Sequence, residues 1–219
     1  HTGSLFEIDD TGLTIVSVDG YRLALRHEVI DSKEGASSFS FVVPGAALSE
    51  VEKICSDVDD TLTVTQGARH IMFKIGTTML VSRRLEGEFL AYRQAIPRNN
   101  TIKVEGDTRS LLSSIDRVSL IISDKLKSPL RCVFGDQVLR ISTKTAIGDA
   151  NDQCEIDGDG GGLEIGFNNK YLMDALKAAP ADRVRLELTT GVSPCVILPA
   201  EGVENFLYMV LPVRLKAGE

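Results

Sequence analysis

Phe41-Val42-Val43-Pro44 leads into a helical stripe of Leu48, Val51 and Ile54, then Asp59-Asp60 and the alternating run Thr61-Leu62-Thr63-Val64-Thr65-Gln66-Gly67. The same order recurs later. Leu163-Glu164-Ile165-Gly166-Phe167 leads into a stripe of Tyr171, Leu172, Ala175 and Leu176. Ala181-Asp182 and Val184-Arg185-Leu186-Glu187-Leu188-Thr189-Thr190-Gly191 follow. An offset of about 124 residues preserves strand, short helix, alternating strand, turn, strand, strand, which is the signature of a duplicated unit. Two copies of one domain are therefore expected, spanning 1–97 and 98–219 and joined near Ile96-Pro97-Arg98-Asn99-Asn100.

Outward from these segments most periodic signals are strands. Leu5-Phe6-Glu7-Ile8, a polar Asp9-Asp10-Thr11-Gly12 turn and Leu13–Val18 read as a hairpin. Leu130–Phe134 and Val138–Ser142 read as its counterpart in the second copy. Tyr21–His27 and Ser38–Val43 are extended, and Ile71–Ile75 with Thr78–Ser82 complete a meander. Pro44 opens the first helix. Asp107 is positioned to cap a second, running to Ile122 and carrying Leu111, Leu112, Ile115 and Val118. Asn168-Asn169 cap the third, which Pro180 stops. Short helices among many strands predict an α+β fold. The second copy opens with a strand at Thr101–Val104 and the Asp107 helix, whereas the first begins inside its hairpin; the expectation is a fragment lacking that upstream strand and helix.

Composition narrows the class. The chain has 219 residues, 43% hydrophobic and 25% charged, ordinary for a folded protein. No apolar run approaches the roughly 18 residues of a membrane span. The start, His-Thr-Gly-Ser-Leu-Phe-Glu, lacks a basic region and apolar core, so no signal peptide is expected. Cys55, Cys132, Cys154 and Cys195 form no CxxC, which suits a reducing cytoplasm and argues against a zinc site. The net charge of −7 weighs against a surface that is adhesive to nucleic acid throughout.

Three stretches together resemble the bacterial DNA polymerase III β sliding clamp family. They are Val18-Asp19-Gly20-Tyr21-Arg22-Leu23-Ala24, Glu86-Gly87-Glu88-Phe89 with Tyr92-Arg93 and Ile96-Pro97, and Leu211-Pro212-Val213-Arg214-Leu215. Gly166-Phe167-Asn168 with Tyr171 is a fourth agreement. The resemblance implies tandem copies of the clamp fold, two helices backed by antiparallel sheets, here as most of the second domain and the whole third. In the family two three-domain subunits form a ring on duplex DNA. The ring is a processivity factor for DNA replication: a non-catalytic accessory of the DNA-directed DNA polymerase, whose holoenzyme is the nucleotidyltransferase (transferase). A topological tether of this kind raises the polymerase's effective concentration at the primer end. An acidic exterior is compatible with such a ring, which needs positive potential only along its hole.

The resemblance further implies a peptide-binding pocket between the two domains and the C-terminal arm. It would take motifs from the replicative polymerase alpha subunit, the clamp loader and other partners. The matching positions are Gly20, Tyr21, Arg22, Leu23, Asn168, Tyr171, Val192, Pro194, Met209, Val210, Leu211, Pro212, Val213, Arg214 and Leu215. Leu23, Val192, Val210, Leu211 and Val213 suit apolar sockets, while Arg22, Asn168 and Arg214 suit a peptide's polar groups. Pro212 is expected to interrupt the last strand's ladder and leave the terminal arm free to contribute to a surface. Leu90, Gln94, Ala95 and Lys127 depart from the family pattern, as does the tail Lys216-Ala217-Gly218-Glu219. Candidate DNA-facing cations are Lys53, Arg109, Arg117, Lys125, Lys127, Lys170 and Lys177, through sequence-independent phosphate contacts. Because the family's subunit contact uses a first domain, this chain is not expected to close a ring.

The competing reading is a metal-dependent hydrolase using Asp57, Asp59 and Asp60 or Asp157 and Asp159. The second cluster fails the calcium-loop template, with Gly161 at the fifth position and Asn168 at the twelfth. It reads instead as a flexible loop. His1, His27 and His70 match no nucleophile motif, and no phosphate-binding glycine motif occurs, so no metal, cofactor or catalytic residue is expected.

Overall fold

Strand β1 (Gly3–Asp9) folds back on β2 (Gly12–Val18) because Asp9 ties the turn between them. The Thr11 amide and hydroxyl donate to its Oδ1 at 2.8 and 2.6 Å. Gly12 takes φ +131°, where a Cβ would stand 2.2 Å from the Glu28 carbonyl oxygen. The structure, a computed structural model, describes residues 3–31 and 37–216. His1 and the tail residues Ala217, Gly218 and Glu219, named among the expectations above, lie outside them.

The chain divides into two compact units, His1–Asp19 with Leu25–Ala91, and Gly20–Ala24 with Tyr92–Glu219. In the first, β1 is flanked by β2 and by β4 (Phe39–Pro44), with Phe6 opposite Phe41. Strand β3 (Arg22–Glu28) follows β2, and its His27 Nδ1 meets Thr14 Oγ1 at 2.8 Å. Pro44 stands at the N-cap of α1 (Gly45–Cys55), one position earlier than the first-turn placement proline favours. The meander β5 (Thr63–Gln66), β6 (His70–Ile75) and β7 (Thr78–Arg83) forms a three-stranded sheet. Phe6 lies between Phe41 and Phe73, with ring centroids at 5.3 and 6.4 Å, and Val43, Val51 and Ile71 close the core around them. Each such ring buries enough apolar surface to stabilise the unit by about 1.5–3 kcal/mol.

The second unit runs through α2 (Tyr92–Ala95), β8 (Ile102–Asp107), α3 (Thr108–Ser119), β9 (Leu130–Thr145) and β10 (Gly148–Phe167). It continues with α4 (Asn169–Ala178), β11 (Arg183–Leu188), β12 (Cys195–Pro199) and β13 (Phe206–Val210). The strand order is β13-β12-β11-β8-β10-β9, and α3 packs against α4. The repeat holds at the level of elements: β4, α1 and β6 correspond to the end of β10, α4 and β12, so the cap Pro44 matches the cap Asn168.

Asp107 caps α3 as its sequence position implies, accepting hydrogen bonds from the Ser110 amide and hydroxyl. The helix ends at Ser119, three residues before the expected Ile122. The Ser110 bonds hold the Asp107 carboxyl below its ordinary value of 3.8. Asp107→Ala should cost about 1 kcal/mol in urea denaturation at neutral pH. Because the folded-state pKa is the lower one, that contribution is complete above the unfolded value of 3.8. It is lost as pH falls through the folded value, so wild type and variant should converge once the folded-state carboxyl is protonated, below 3.8.

Although β9 is extended from Leu130 to Thr145, the chain reverses inside it, at the expected hairpin position. Burial favours even positions through Phe134 and odd ones from Leu139. Gln137 adopts φ +59°, and a Cβ on Gly135 would lie 3.5 Å from the Val138 carbonyl oxygen, a distance only a tight turn allows.

Strand β10 corrects the loop expected at Asp157–Gly162. It pairs first with Val138–Thr145 and then with Leu130–Phe134, passing the β9 tip through Asp159 opposite Asp136, with register shifts on both sides. Gly158, Gly161 and Gly162 take positive φ, and a Cβ on Gly160 would stand 2.2 Å from Phe134 Cβ. The glycines are there for curvature and close approach. Asp157 Oδ2 accepts from Arg183 Nη2 at 2.5 Å, and Asp159 Oδ1 from the Gly161 amide at 2.8 Å. Cys132 and Cys195 sit in the core, and burial raises both thiols, that of Cys195 to about 12. They pack as small apolar side chains rather than as nucleophiles.

Candidate functional site: an aromatic shelf and a pinned arm

Asn168 sets the site's geometry. Its side chain accepts the amides of Lys170 and Tyr171 at 3.0 and 3.4 Å, starting α4 and fixing where Tyr171 leaves the helix. Loss of this cap in Asn168→Ala should lower stability by about 1 kcal/mol. Asn168→Asp should retain most of it, a contrast that thermal melts of the two variants measure.

Tyr171 then gathers residues from the short Gly20–Ala24 strip. The Tyr21 ring stacks on it at 5.7 Å with an interplanar angle of 21°. The Arg22 guanidinium lies 4.3 Å from the Tyr171 centroid, and Arg22 Nη1 donates to Asp174 Oδ2 at 2.8 Å. One turn of helix separates Tyr171 from Asp174, so the pair shares a face and holds Arg22 from two sides. Arg22 thus helps to shape the shelf. Asp174 was missed in the sequence, where its spacing from Tyr171 was the available signal. Tyr21 remains 60% exposed, a broad apolar surface with a polar tip.

The ladder of β13 ends at Val210, before Pro212, and the arm beyond it is held by main-chain bonds. The Leu211 amide donates to the Tyr21 carbonyl at 2.9 Å, and the Val213 amide to the Gly166 carbonyl at 2.8 Å. Gly166 and Val213 form an antiparallel bridge. A Cβ on Gly166 would lie 2.7 Å from Leu215 Cδ2 and 2.8 Å from the Val213 carbonyl oxygen, so glycine is what lets the arm close.

The remaining expected residues are placed as follows. Leu23 (3% exposed), Met209 and Val210 (1% exposed) are buried, and Val210 belongs to the second unit's core. Buried to this degree, none of the three offers an open socket. Val192 stands 80% exposed on the turn before β12 and Pro194 is half-buried. That turn passes the end of β10, where a Cβ on Gly191 would meet the Glu164 carbonyl oxygen at 2.6 Å. Leu211 and Arg214 are exposed; Pro212, Val213 and Leu215 are half-buried; Gly20 has open space around its α-carbon.

The DNA-facing candidates are all exposed. Three of them are engaged with acids: Lys53 with Glu50 at 2.9 Å, Arg117 with Asp152 at 2.5 Å, and Lys170 with Asp124. Arg109 and Lys177 lie on α3 and α4, while Lys125 and Lys127 follow α3. Among the described residues no group of three or more His, Cys, Asp or Glu is gathered as metal ligands would be, and no helix is long and apolar enough to cross a membrane.

Two copies of one strand–helix–strand unit, an aromatic shelf and a pinned terminal arm define a tandem clamp-fold module. The chain belongs to the DNA polymerase III beta subunit family: residues 93–214 match its C-terminal domain and residues 1–90 its central domain. Among curated relatives, the beta sliding clamp of Staphylococcus aureus is 31% identical over 215 residues, 97% of this chain and 56% of that protein. The chain thus spans about half the length of the curated relatives it matches. Among solved structures, the DNA polymerase sliding clamp from Bacillus subtilis is similar at TM-score 0.90 and 27% identity, over 98% of this chain and 57% of that one. The Pseudomonas aeruginosa sliding clamp bound to griselimycin follows at 0.89 and 26%, over 98% and 57%.

Proposed function

We propose that this chain docks short linear motifs on the surface formed by Tyr21, Tyr171, Leu211 and the arm through Leu215. The observation that carries the reading is the stacked Tyr21–Tyr171 pair beside a main chain already fixed by the Leu211–Tyr21 and Val213–Gly166 bonds. A preformed apolar shelf loses little conformational freedom when it receives a Leu or Phe anchor. Leu23, Met209 and Val210 form the rigid backing, and Val192 with Pro194 supplies a rim.

In the full-length protein this surface serves a processivity factor: a dimeric ring on duplex DNA that tethers the replicative polymerase, and hands the same surface to clamp loader and other motif-bearing partners. The role is non-catalytic. Arg109, Lys177 and Lys125 are the phosphate-facing cations of this reading, since Lys53, Arg117 and Lys170 are engaged with acids. The sequence reading puts the boundary between copies at 97/98, whereas the compact units divide at Ala91/Tyr92 and the two family matches meet between residues 90 and 93, a few residues earlier.

The experiment is a titration of a fluorescent Leu/Phe-containing peptide, read by anisotropy, with a parallel magnesium-dependent hydrolysis assay. Saturable, micromolar binding without turnover is expected. Hydrolysis that is lost on substituting Asp57 or Asp157 would overturn the reading.

A further inference from the structure

Beside the arm lies a cavity of about 570 Å³ whose lining includes Lys127, Lys144, Arg214 and Lys216. Among the described residues none that line it is acidic. This concentration of cations stands in a chain with a net charge of −7. Asp124, whose carboxyl feels Lys127, is already bonded to Lys170. The cavity also takes in Asn168 and Val213, the cap of α4 and the pinned arm residue. It therefore opens directly off the proposed docking surface. A smaller cavity of about 180 Å³ shares Lys144 and reaches Leu215 and Arg131 along the arm. Its lining includes Asp149, which stands opposite Lys144 in the β9–β10 pairing, and Arg131 is paired with Glu164, so the uncompensated positive charge is concentrated in the larger cavity.

We propose that this basic cavity receives acidic side chains flanking the apolar anchors of a docked peptide, so that the chain selects motifs carrying Asp or Glu next to Leu or Phe. The inference rests on the docking reading above and adds a specificity rule to it. Charge complementarity in a concave site favours the partner with opposite charge and speeds its arrival more than it deepens a fully bound state. A cavity of this volume admits a few peptide side chains, whereas a duplex is too wide to enter and would touch only its rim. Lys127, assigned to DNA by sequence position, thereby has a different role, and its departure from the family pattern becomes a determinant of partner choice.

Two labelled peptides with identical Leu/Phe anchors test this, one flanked by an Asp-Glu pair and one by Ser-Gly, against wild type and the exposed double variant Lys127→Glu/Lys144→Glu. At low salt the acidic peptide should bind wild type about fivefold tighter than the neutral one, the scale of a few exposed ion pairs. The gap should shrink as salt is raised and vanish or reverse in the variant, while the neutral peptide binds both proteins equally, which also reports that the variant is folded. An unchanged gap in the variant overturns the proposal. So does a variant that loses binding of a short duplex oligonucleotide in place of its preference for the acidic peptide. If the neutral peptide binds and no acidic preference exists, only this inference fails; if neither peptide binds wild type, the docking reading fails with it.

Discussion

Gly160→Ala should destabilise the second unit by about 3 kcal/mol, the upper end of the ordinary cost of overpacking a close-packed interior. The new methyl carbon would stand 2.2 Å from Phe134 Cβ and 2.5 Å from the Phe134 carbonyl oxygen. Neither atom is the end of a flexible side chain, so relief requires moving backbone on the buried face of β9. Phe134 is only 1% exposed and has nowhere to retreat. The neighbouring Gly161→Ala is the control. Gly161 has φ +65° but open space around its α-carbon. It should lose only the left-handed penalty of about 1 kcal/mol. Urea denaturation of both variants reads the difference. Equal costs would mean that β10 does not cross the β9 tip as described.

The second large effect concerns binding. Tyr171→Ala removes the ring that Tyr21 and Arg22 both contact, and Leu211→Asp places a carboxylate beside the shelf. Each should weaken a Leu/Phe peptide by about 2 kcal/mol, roughly thirtyfold, the scale of an interface hot spot. Leu211 is exposed, so its substitution reports binding with little effect on folding. Leu23→Asp is a poorer probe: Leu23 is buried, and a carboxylate there would disturb folding as well as binding. A thirtyfold loss in Leu211→Asp with an unchanged melting curve separates the two effects.

Several parts of this structure are legible in the sequence. Asn168 and Pro180 bracket α4, and Asp107 announces α3, because capping is local chemistry written within four residues. The duplication was legible because each copy repeats its own order of strand, helix and turn. The path of β10 was not. Asp157–Gly162 has the composition of a loop, and only the proximity of Phe134, more than twenty residues earlier, turns its glycines into close-approach positions. At the site, apolar letters at Leu23, Val210 and Leu211 looked alike, although two are buried and one is exposed. The Arg22–Asp174 pair spans 152 positions and is set by tertiary structure. The pinned arm depends on the missing side chain at Gly166, a feature visible as a letter but not as a contact.

The most direct measurement is an amide chemical-shift map of the chain titrated with a Leu/Phe peptide. The predicted result is a continuous patch of large shifts at Gly20–Leu23, Asn168–Tyr171 and Leu211–Leu215, saturating with one peptide per chain. Shifts concentrated on α3 or the β9 tip, with that patch silent, would contradict it.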